Sequence, residues 1–516
     1  MKTRHALLIV TVTACTAGGP ARTNLPTAGA TLSSTAGEFP GLEAIRESDI
    51  RRDLFALASD AMRGREAGTI DELRASGWLA EQARAAGFEP AGDDGTYFQW
   101  FPLQRTRQST TSRIAVNGEV LALWRDVSVS GILEADVDAP IVWLGSGATL
   151  DTARADVSGR VAAVELPATG APRAGAALAA RRWVGQAPQR LAAPLIRRGA
   201  VAVIVVASPG ADALFALGAA NAERGRYSVD TGTGVAGGQR GGGQGAQRAV
   251  PVLFVRHAHQ GSVAAPAARL TARLTVDAFT YPSVNVVARV RGTDPLLRDE
   301  HVLFSAHQDH DGVRAGVPGD SVWNGADDNA TVAAALLAIG RAFVERPGRR
   351  SALFVWHGAE EKGLNGSRWH AVRPVVPKDR IVAVLNGDMI GRNHPDTAAL
   401  LGSIPPHRNS TDLVRMAHAA NTHVSGFAID STWDRPTHPE GWYFRSDHLP
   451  YARENIPALF FSSNLHPDYH TPRDEPERID VAKLTRIARW MYGTGWLVAN
   501  EERRPGLDAG FRLERN

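Results

Sequence analysis

Five short segments in the second half of this 516-residue chain carry carboxylates, two of them together with histidines. They are Ala306-His307-Gln308-Asp309-His310, Asn324-Gly325-Ala326-Asp327-Asp328-Asn329-Ala330, Gly358-Ala359-Glu360-Glu361-Lys362-Gly363-Leu364, Asn386-Gly387-Asp388-Met389-Ile390-Gly391 and Pro467-Asp468-Tyr469-His470-Thr471-Pro472. Each alone has an ordinary explanation. A His-x-Asp pair is commonly a local hydrogen bond, two aspartates before a helix are commonly a cap and a first-turn acid, and adjacent glutamates are commonly solvated. Their conjunction is harder to dismiss. Four of the five closely follow apolar runs that read as strands, and acids gathered at the strand ends of one sheet repel one another unless a divalent cation sits among them. Two histidines and three carboxylates can hold two zinc ions when one carboxylate bridges. In an extended segment neighbouring side chains point opposite ways, so one of Glu360 and Glu361 can ligate while the other reaches a bound water.

The elements that must position these residues are legible. Val302 to Ala306, Leu353 to Trp356, Ile381 to Leu385 and Ala458 to Phe461 are short continuous apolar runs, which suit strands buried on both faces of a largely parallel sheet. Val332, Leu336, Ile339 and Phe343 make one helix face, and Val481 to Ala499 predicts a second long helix. Strand alternating with helix means a layered α/β domain with its site at the carboxyl ends of the strands. Ile50, Leu54, Leu57 and Ala58 predict an early helix, and Leu73, Trp78, Leu79 and Ala83 predict another that stops at Gly87. Between about 125 and 275 short β-branched runs alternate with Ala/Arg-rich stretches without any acid–histidine cluster, as in a module of its own.

In these segments the chain resembles the M28 family of co-catalytic zinc peptidases, over roughly 45–125 and 280–500, with all five segments in family order. The resemblance implies a three-layer αβα zinc-exopeptidase fold on a mixed, largely parallel sheet, with two zinc ions per chain. It implies that His307 and Asp388 hold one zinc, Glu361 and His470 the other, and that Asp328 bridges. Asp309 matches the acid that buttresses His307, and Glu360 the general base that acts on a metal-bridging water. Ala330-Thr331-Val332 departs from the small residue, Ser and Gly that often follow the bridging acid, which bears on helix packing. Residues 126–277 resemble a protease-associated (PA) domain through Gly159-Arg160-Val161-Ala162 and Gly199-Ala200-Val201-Ala202-Val203-Ile204, implying a lid or access role. The division is then 1–15 signal, 16–42 tether, 43–125 and 278–505 peptidase domain, and 126–277 insertion. Tyr469 is a candidate to stabilise an oxyanion, with packing beside His470 as its ordinary role. Arg445 is a candidate to bind a substrate carbonyl or carboxylate, with an ion pair to Asp447 or another loop acid as the alternative.

Composition narrows the partners. The formal charge is +3, from 57 basic and 54 acidic residues, so no basic excess points to nucleic acid. The single cysteine, Cys15, excludes intramolecular disulfides and a cysteine-based zinc site. Lys2 and Arg4 before the apolar stretch Ala6 to Ala14 read as an export signal, too short for the roughly 20 residues of a membrane span. Val12-Thr13-Ala14-Cys15 resembles a bacterial lipobox, which implies a periplasmic or cell-surface protein anchored at Cys15, or otherwise a secreted one. Gly232-Thr233-Gly234-Val235-Ala236-Gly237 fits a dinucleotide fingerprint, but more glycine follows and no helix starts, so it reads as a surface loop. His257 and His259 read as surface histidines. The leading expectation is an aminopeptidase acting on peptides. A carboxypeptidase, a dipeptidase, a glutaminyl cyclase relative and a non-catalytic binding protein that kept the fold are the alternatives.

Overall fold

The computed structural model describes residues 39–152, 154–169, 177–232, 249–314 and 319–514. The export signal, Cys15, most of the tether and most of the glycine-rich 232–245 segment lie outside the described residues.

Two sheets organise the chain. The main sheet has ten strands, and its centre is four mutually parallel ones in the order Ala458–Ser462, Ile381–Gly387, His301–His307 and Ser351–His357. Every residue of these four is buried, which is why each reads as a continuous apolar run rather than an alternating one. Beyond Ser351–His357 the sheet turns antiparallel through Val276–Val290, Phe98–Gln108 and the short edge strand Arg226–Ser228. On the opposite flank Thr397–Leu401 runs antiparallel to Ala458–Ser462.

Helices cover both faces of this sheet. Thr331–Glu345 is buried along nearly its whole length and packs with Glu47–Leu57 and Val481–Asn500. Beneath them Phe304 stacks on Phe354 at 5.2 Å and meets Phe343 at 5.6 Å. Gly495 lets the C-terminal helix close on this cluster, since a Cβ there would lie 2.1 Å from the Phe304 ring. On the other face Asn365–Val372 and His448–Arg453 cover Val287, Leu303, Val355 and Val384, contributing Ala371, Tyr451 and Ala452. Ile70–Ala85 ends before Gly87, whose φ of +86° suits the glycine foreseen there.

The second sheet has eight strands, of which Ala135–Ser146, Val161–Leu166, Ala202–Ala207 and Val252–Val255 are parallel neighbours. Alternate residues feed two cores. Val161, Ala163, Ile204 and Val206 face one, while Ala162, Val164, Val203 and Val205 face the other with the helices Ala177–Arg197 and Phe215–Arg224. This sheet also takes in Arg113–Val116, Glu119–Val120 and Val127–Val129. It therefore begins well ahead of the expected boundary at residue 126, because Arg113–Val116 pairs with Arg269–Leu274 instead of continuing the main sheet. Among the described residues no helix is long and apolar enough to cross a membrane.

Candidate metal centre

All five segments come together at the carboxyl end of the main sheet. His307 closes the strand His301–His307, Asp388 follows Ile381–Gly387, and Glu360 and Glu361 follow Ser351–His357. His470 lies in the loop after Ala458–Ser462, and Asp328 in the turn Ala326–Ala330 that opens the helix Thr331–Glu345.

Asp328 is the middle of the arrangement. Its Oδ1 lies 3.1 Å from His307 Nε2, and its Oδ2 lies 3.0 Å from His470 Nε2. Asp388 Oδ1 is 3.6 Å from the same His307 nitrogen, and Glu361 Oε1 is 3.1 Å from the same His470 nitrogen. One carboxylate thus faces two histidine–carboxylate pairs, one with each oxygen. His307 Nε2, Asp388 Oδ1 and Glu361 Oε1 are sealed from solvent yet make no hydrogen bond of acceptable geometry, which ordinary buried polar groups avoid. Imidazole and carboxylate donors converging without proton-sharing geometry fit divalent cations well. Glu360 approaches from the His307 side, its Oε2 4.0 Å from His307 Nε2.

The electrostatics follow from burial and from neighbours. Burial works against a charged Asp328, but the His307 and His470 rings beside it hold its carboxyl well below the usual range. Burial likewise opposes ionised Glu361, and His470 with His310 brings it down to about 2. Burial would lower His470, yet Glu361 and Asp311 raise it to about 10. Glu360 goes the other way. Burial first, and then the Glu361, Asp447 and Asp388 charges, push its carboxyl well above the usual value. Glu360 is not alone in this, since burial also raises Asp388 and takes Asp309 to about 6, so the cluster divides into carboxyls held ionised by histidines and carboxyls that favour a proton.

The supports differ in part from the expectation. His307 Nδ1 lies 3.1 Å from the main-chain oxygen of Asp309, whereas the nearer Asp309 carboxylate oxygen is 3.9 Å away. That carboxylate instead accepts the backbone N–H groups of Glu360 at 2.9 Å and Glu361 at 3.3 Å. Asp309 thus braces the histidine with its backbone and the glutamate pair with its side chain, because a carboxylate facing two backbone donors is already satisfied. Asp327 is occupied elsewhere, accepting Gly391 N at 2.7 Å and lying 3.3 Å from His466 Nε2. Tyr469 packs against the His470 ring at 3.9 Å, and its hydroxyl accepts from Arg445 Nη2 at 2.9 Å. Arg445 pairs with Glu440 at 3.1 Å rather than with Asp447. Glu440 also receives Arg182, from the helix Ala177–Arg197, at 2.7 Å.

Three contributors escaped the sequence reading. His310 is fully buried, with Nδ1 2.8 Å from Glu361 Oε1 and 3.9 Å from Asp328 Oδ2, and its ring is edge-on to His470. It groups with Asp328, Glu361 and His470 as a potential ligand, and its position directly after Asp309 was the available signal. Asp311 braces His470, with Oδ2 3.4 Å from Nδ1, and it receives Arg224 from the second-sheet helix Phe215–Arg224 at 2.8 Å. Arg65, fully buried, donates to the carbonyls of Leu57, Gln308, Asn324 and Gly325 at 2.7–2.9 Å, tying two of the site loops together. Burial brings its guanidinium down to about 10 against the pull of Asp309, Asp328, Asp474 and Glu361.

Known proteins match the chain at the level of family and of fold. The profile described as Peptidase family M28 matches residues 285–494, which hold all five segments. A probable leucine aminopeptidase of Arthroderma benhamiae is 26% identical over 220 residues, covering 41% of this chain and 57% of that one, so the chain spans just over half of that relative's length. Among solved structures, an aminopeptidase from Aneurinibacillus sp. strain AM-1 superposes with a TM-score of 0.52 at 19% identity, over 92% of this chain and 98% of that one. BSAP, a zinc aminopeptidase from Bacillus subtilis, gives 0.53 at 16% identity, over 91% and 99%. Both are likenesses of fold, and they extend across the two sheets. The chain therefore carries a Peptidase family M28 domain over residues 285–494.

Proposed function

We propose that the protein is a zinc-dependent aminopeptidase that removes N-terminal residues from peptides. The observation that carries this is Asp328, each of whose oxygens faces its own histidine–carboxylate pair, with Glu360 Oε2 4.0 Å from the histidine of one of them. His307 and Asp388 would hold one zinc, Glu361 and His470 the other, and Asp328 both. Such a pair supplies Lewis acidity toward a carbonyl oxygen and a nucleophile at neutral pH.

The chain's own groups do the rest. Glu360 takes the proton from the attacking water and passes it to the leaving amine. Asp309 sets the direction of both glutamates through their backbone N–H groups. Burial keeps the Tyr469 hydroxyl protonated well past neutrality, and Arg445 leaves the tyrosine's proton free to be donated, so Tyr469 can offer it to a developing oxyanion. Arg445 then acts by orienting Tyr469 as well as by direct contact with substrate. The likeness of the solved aminopeptidases across both sheets supports the reading of the second sheet as a PA-like insertion over the site. The export signal and a lipid anchor at Cys15 belong to the same proposal and rest on residues 2–15 of the sequence.

The test is a panel of aminoacyl amides against N-blocked peptides, with chelation and zinc restoration. Aminopeptidase action predicts cleavage only of substrates with a free amino terminus, lost on chelation and restored by zinc. Glu360→Gln should retain the metals and lose at least about a hundredfold in kcat. Full activity in that variant, or preference for blocked substrates, rejects the assignment.

A further inference from the structure

Away from the metal centre, the described residues hold two guanidinium groups that lack an acidic partner and line the same cavity. The cavity, of about 210 Å³, lies where the segment after the edge strand Arg226–Ser228 meets the helices Asn365–Val372 and His448–Arg453. Ser228, Thr231, Asn365, Arg368, Arg453 and Glu454 line its polar side. Arg368 enters half-buried from the first helix, and Arg453 reaches it from the exposed end of the second.

Among the described residues, other arginines with a sealed and unbonded nitrogen still have a partner, as Arg107 has Asp277, Arg341 has Asp53 and Arg392 has Asp468. Arg65 reaches four carbonyls, Arg350 pairs with Glu300 at 2.6 Å, and Arg224 pairs with Asp311. Arg368 is different. Its Nε is sealed from solvent with no acceptor. The carboxylate that lines this cavity, Glu454, is drawn to Lys378 Nζ at 2.8 Å. The glycine-rich residues 233–248 that follow this segment in sequence contain no acid. Burial, and behind it the Arg453 charge, pulls the Arg368 guanidinium below its usual value, and burial does the same to Arg453. Two like charges facing one cavity destabilise the protein unless something negative joins them. The planar guanidinium fork matches tetrahedral oxyanions, and two of them match a charge of about −2 better than −1.

We propose that this cavity is a binding site for a doubly charged tetrahedral oxyanion, of the phosphate and sulfate class, held between Arg368 and Arg453. The bound ion joins residues 228–231, which arrive from the second-sheet half of the chain, to two helices of the main sheet. It is separate from the metal centre, with which its lining shares no residue.

Sulfate is the suitable probe, since it does not precipitate zinc. Calorimetric titration of the zinc-loaded full chain at constant ionic strength should show one saturable sulfate site that phosphate competes for and acetate does not. Arg368→Gln and Arg453→Gln should each weaken it by about tenfold or more, as expected for loss of a charge-assisted hydrogen bond. Each should also melt higher than wild type in chloride buffer, because the repulsion is gone, and should lose the sulfate-dependent rise. A structural arginine would do the opposite and lower the melting point. Arg368→Lys, which keeps the charge and the fold, should bind with intermediate affinity. No saturable binding in the wild type overturns the proposal. So does binding unchanged in both glutamine variants, including binding that vanishes only on chelation, which would place the ion at the metal centre.

Discussion

The two sheets make a controlled comparison within one molecule. Each has four mutually parallel strands at its centre, packed on both faces, and each sends loops from the carboxyl ends of those strands. In the main sheet those loops bury a cluster of carboxylates and imidazoles. In the second sheet they hold partly exposed pairs. Arg256 reaches Asp212 at 2.6 Å, Gln260 reaches Glu165 at 3.2 Å, and His257 Nδ1 lies 3.2 Å from the carbonyl of Ala207. Parallel architecture offers the location and leaves the chemistry to the loop residues. What separates the two ends is the sequestration of like charge, which is tolerable only with cations or protons to neutralise it.

Substitutions sharpen or break this contrast. The largest effect belongs to Asp328→Ala. Removing the residue that both halves of the cluster share should strip the chain of metal, read by elemental analysis, and cost peptide hydrolysis at least about a hundred- to a thousandfold, the range for losing electrostatic stabilisation. Next comes Asp311→Asn, which leaves the five proposed ligands in place but weakens the brace on His470. Metal affinity at that position should fall by about 10- to 100-fold, as for other outer supports of a ligand, with one equivalent of metal lost before the other in a chelator titration.

A smaller effect tests the burial of charge beneath the site. Glu72, fully buried, is raised by burial to about 8 despite its hydrogen bond from Ser283. Its folded-state value lies above its unfolded one, so between about 4.5 and 8 the native chain binds more protons than the unfolded chain, and stability falls as pH rises across that window. Glu72→Gln should flatten that decline in melting temperature, with little change below it. A melting curve whose pH dependence is unaltered would contradict the burial. The smallest effect belongs to His257→Ala in the second sheet. Metal content and activity should stay at wild-type levels and stability within about 1 kcal/mol. Any loss of metal there would collapse the distinction between the sheets.

How much of this the sequence shows depends on what each residue answers to. The four central strands were readable because burial on both faces leaves an uninterrupted apolar run, and their observed limits exceed the expected ones by no more than two residues at either end. The five carboxylate-bearing segments were readable because residue type and strand position coincide. Arg65 gave no such signal. Its partners are main-chain carbonyls on loops far along the chain, and a carbonyl carries no trace of residue type. Asp311 and His310 lay in plain view beside Asp309, but which of several adjacent polar residues turns inward is settled by loop geometry. The early start of the second sheet was hidden for a related reason. Arg113–Val116 looks like any short strand, and its partner Arg269–Leu274 is distant in sequence.

The strands Phe98–Gln108 and Val276–Val290 pair antiparallel from Phe98↔Val286 to Gln108↔Val276, and just beyond them Ser109 N donates to Thr275 O at 2.7 Å. Everything between, the whole eight-stranded sheet included, is in topological terms the tip of a hairpin. The stem brings the two ends of that excursion side by side wherever its contents go, so the enclosed chain could lengthen, shrink or be exchanged while the main sheet keeps its register. The excursion is tied back a second time, because Arg226–Ser228 leaves it to pair with Phe98–Gln108 at the edge of the main sheet, so it is held both at the stem and at that edge.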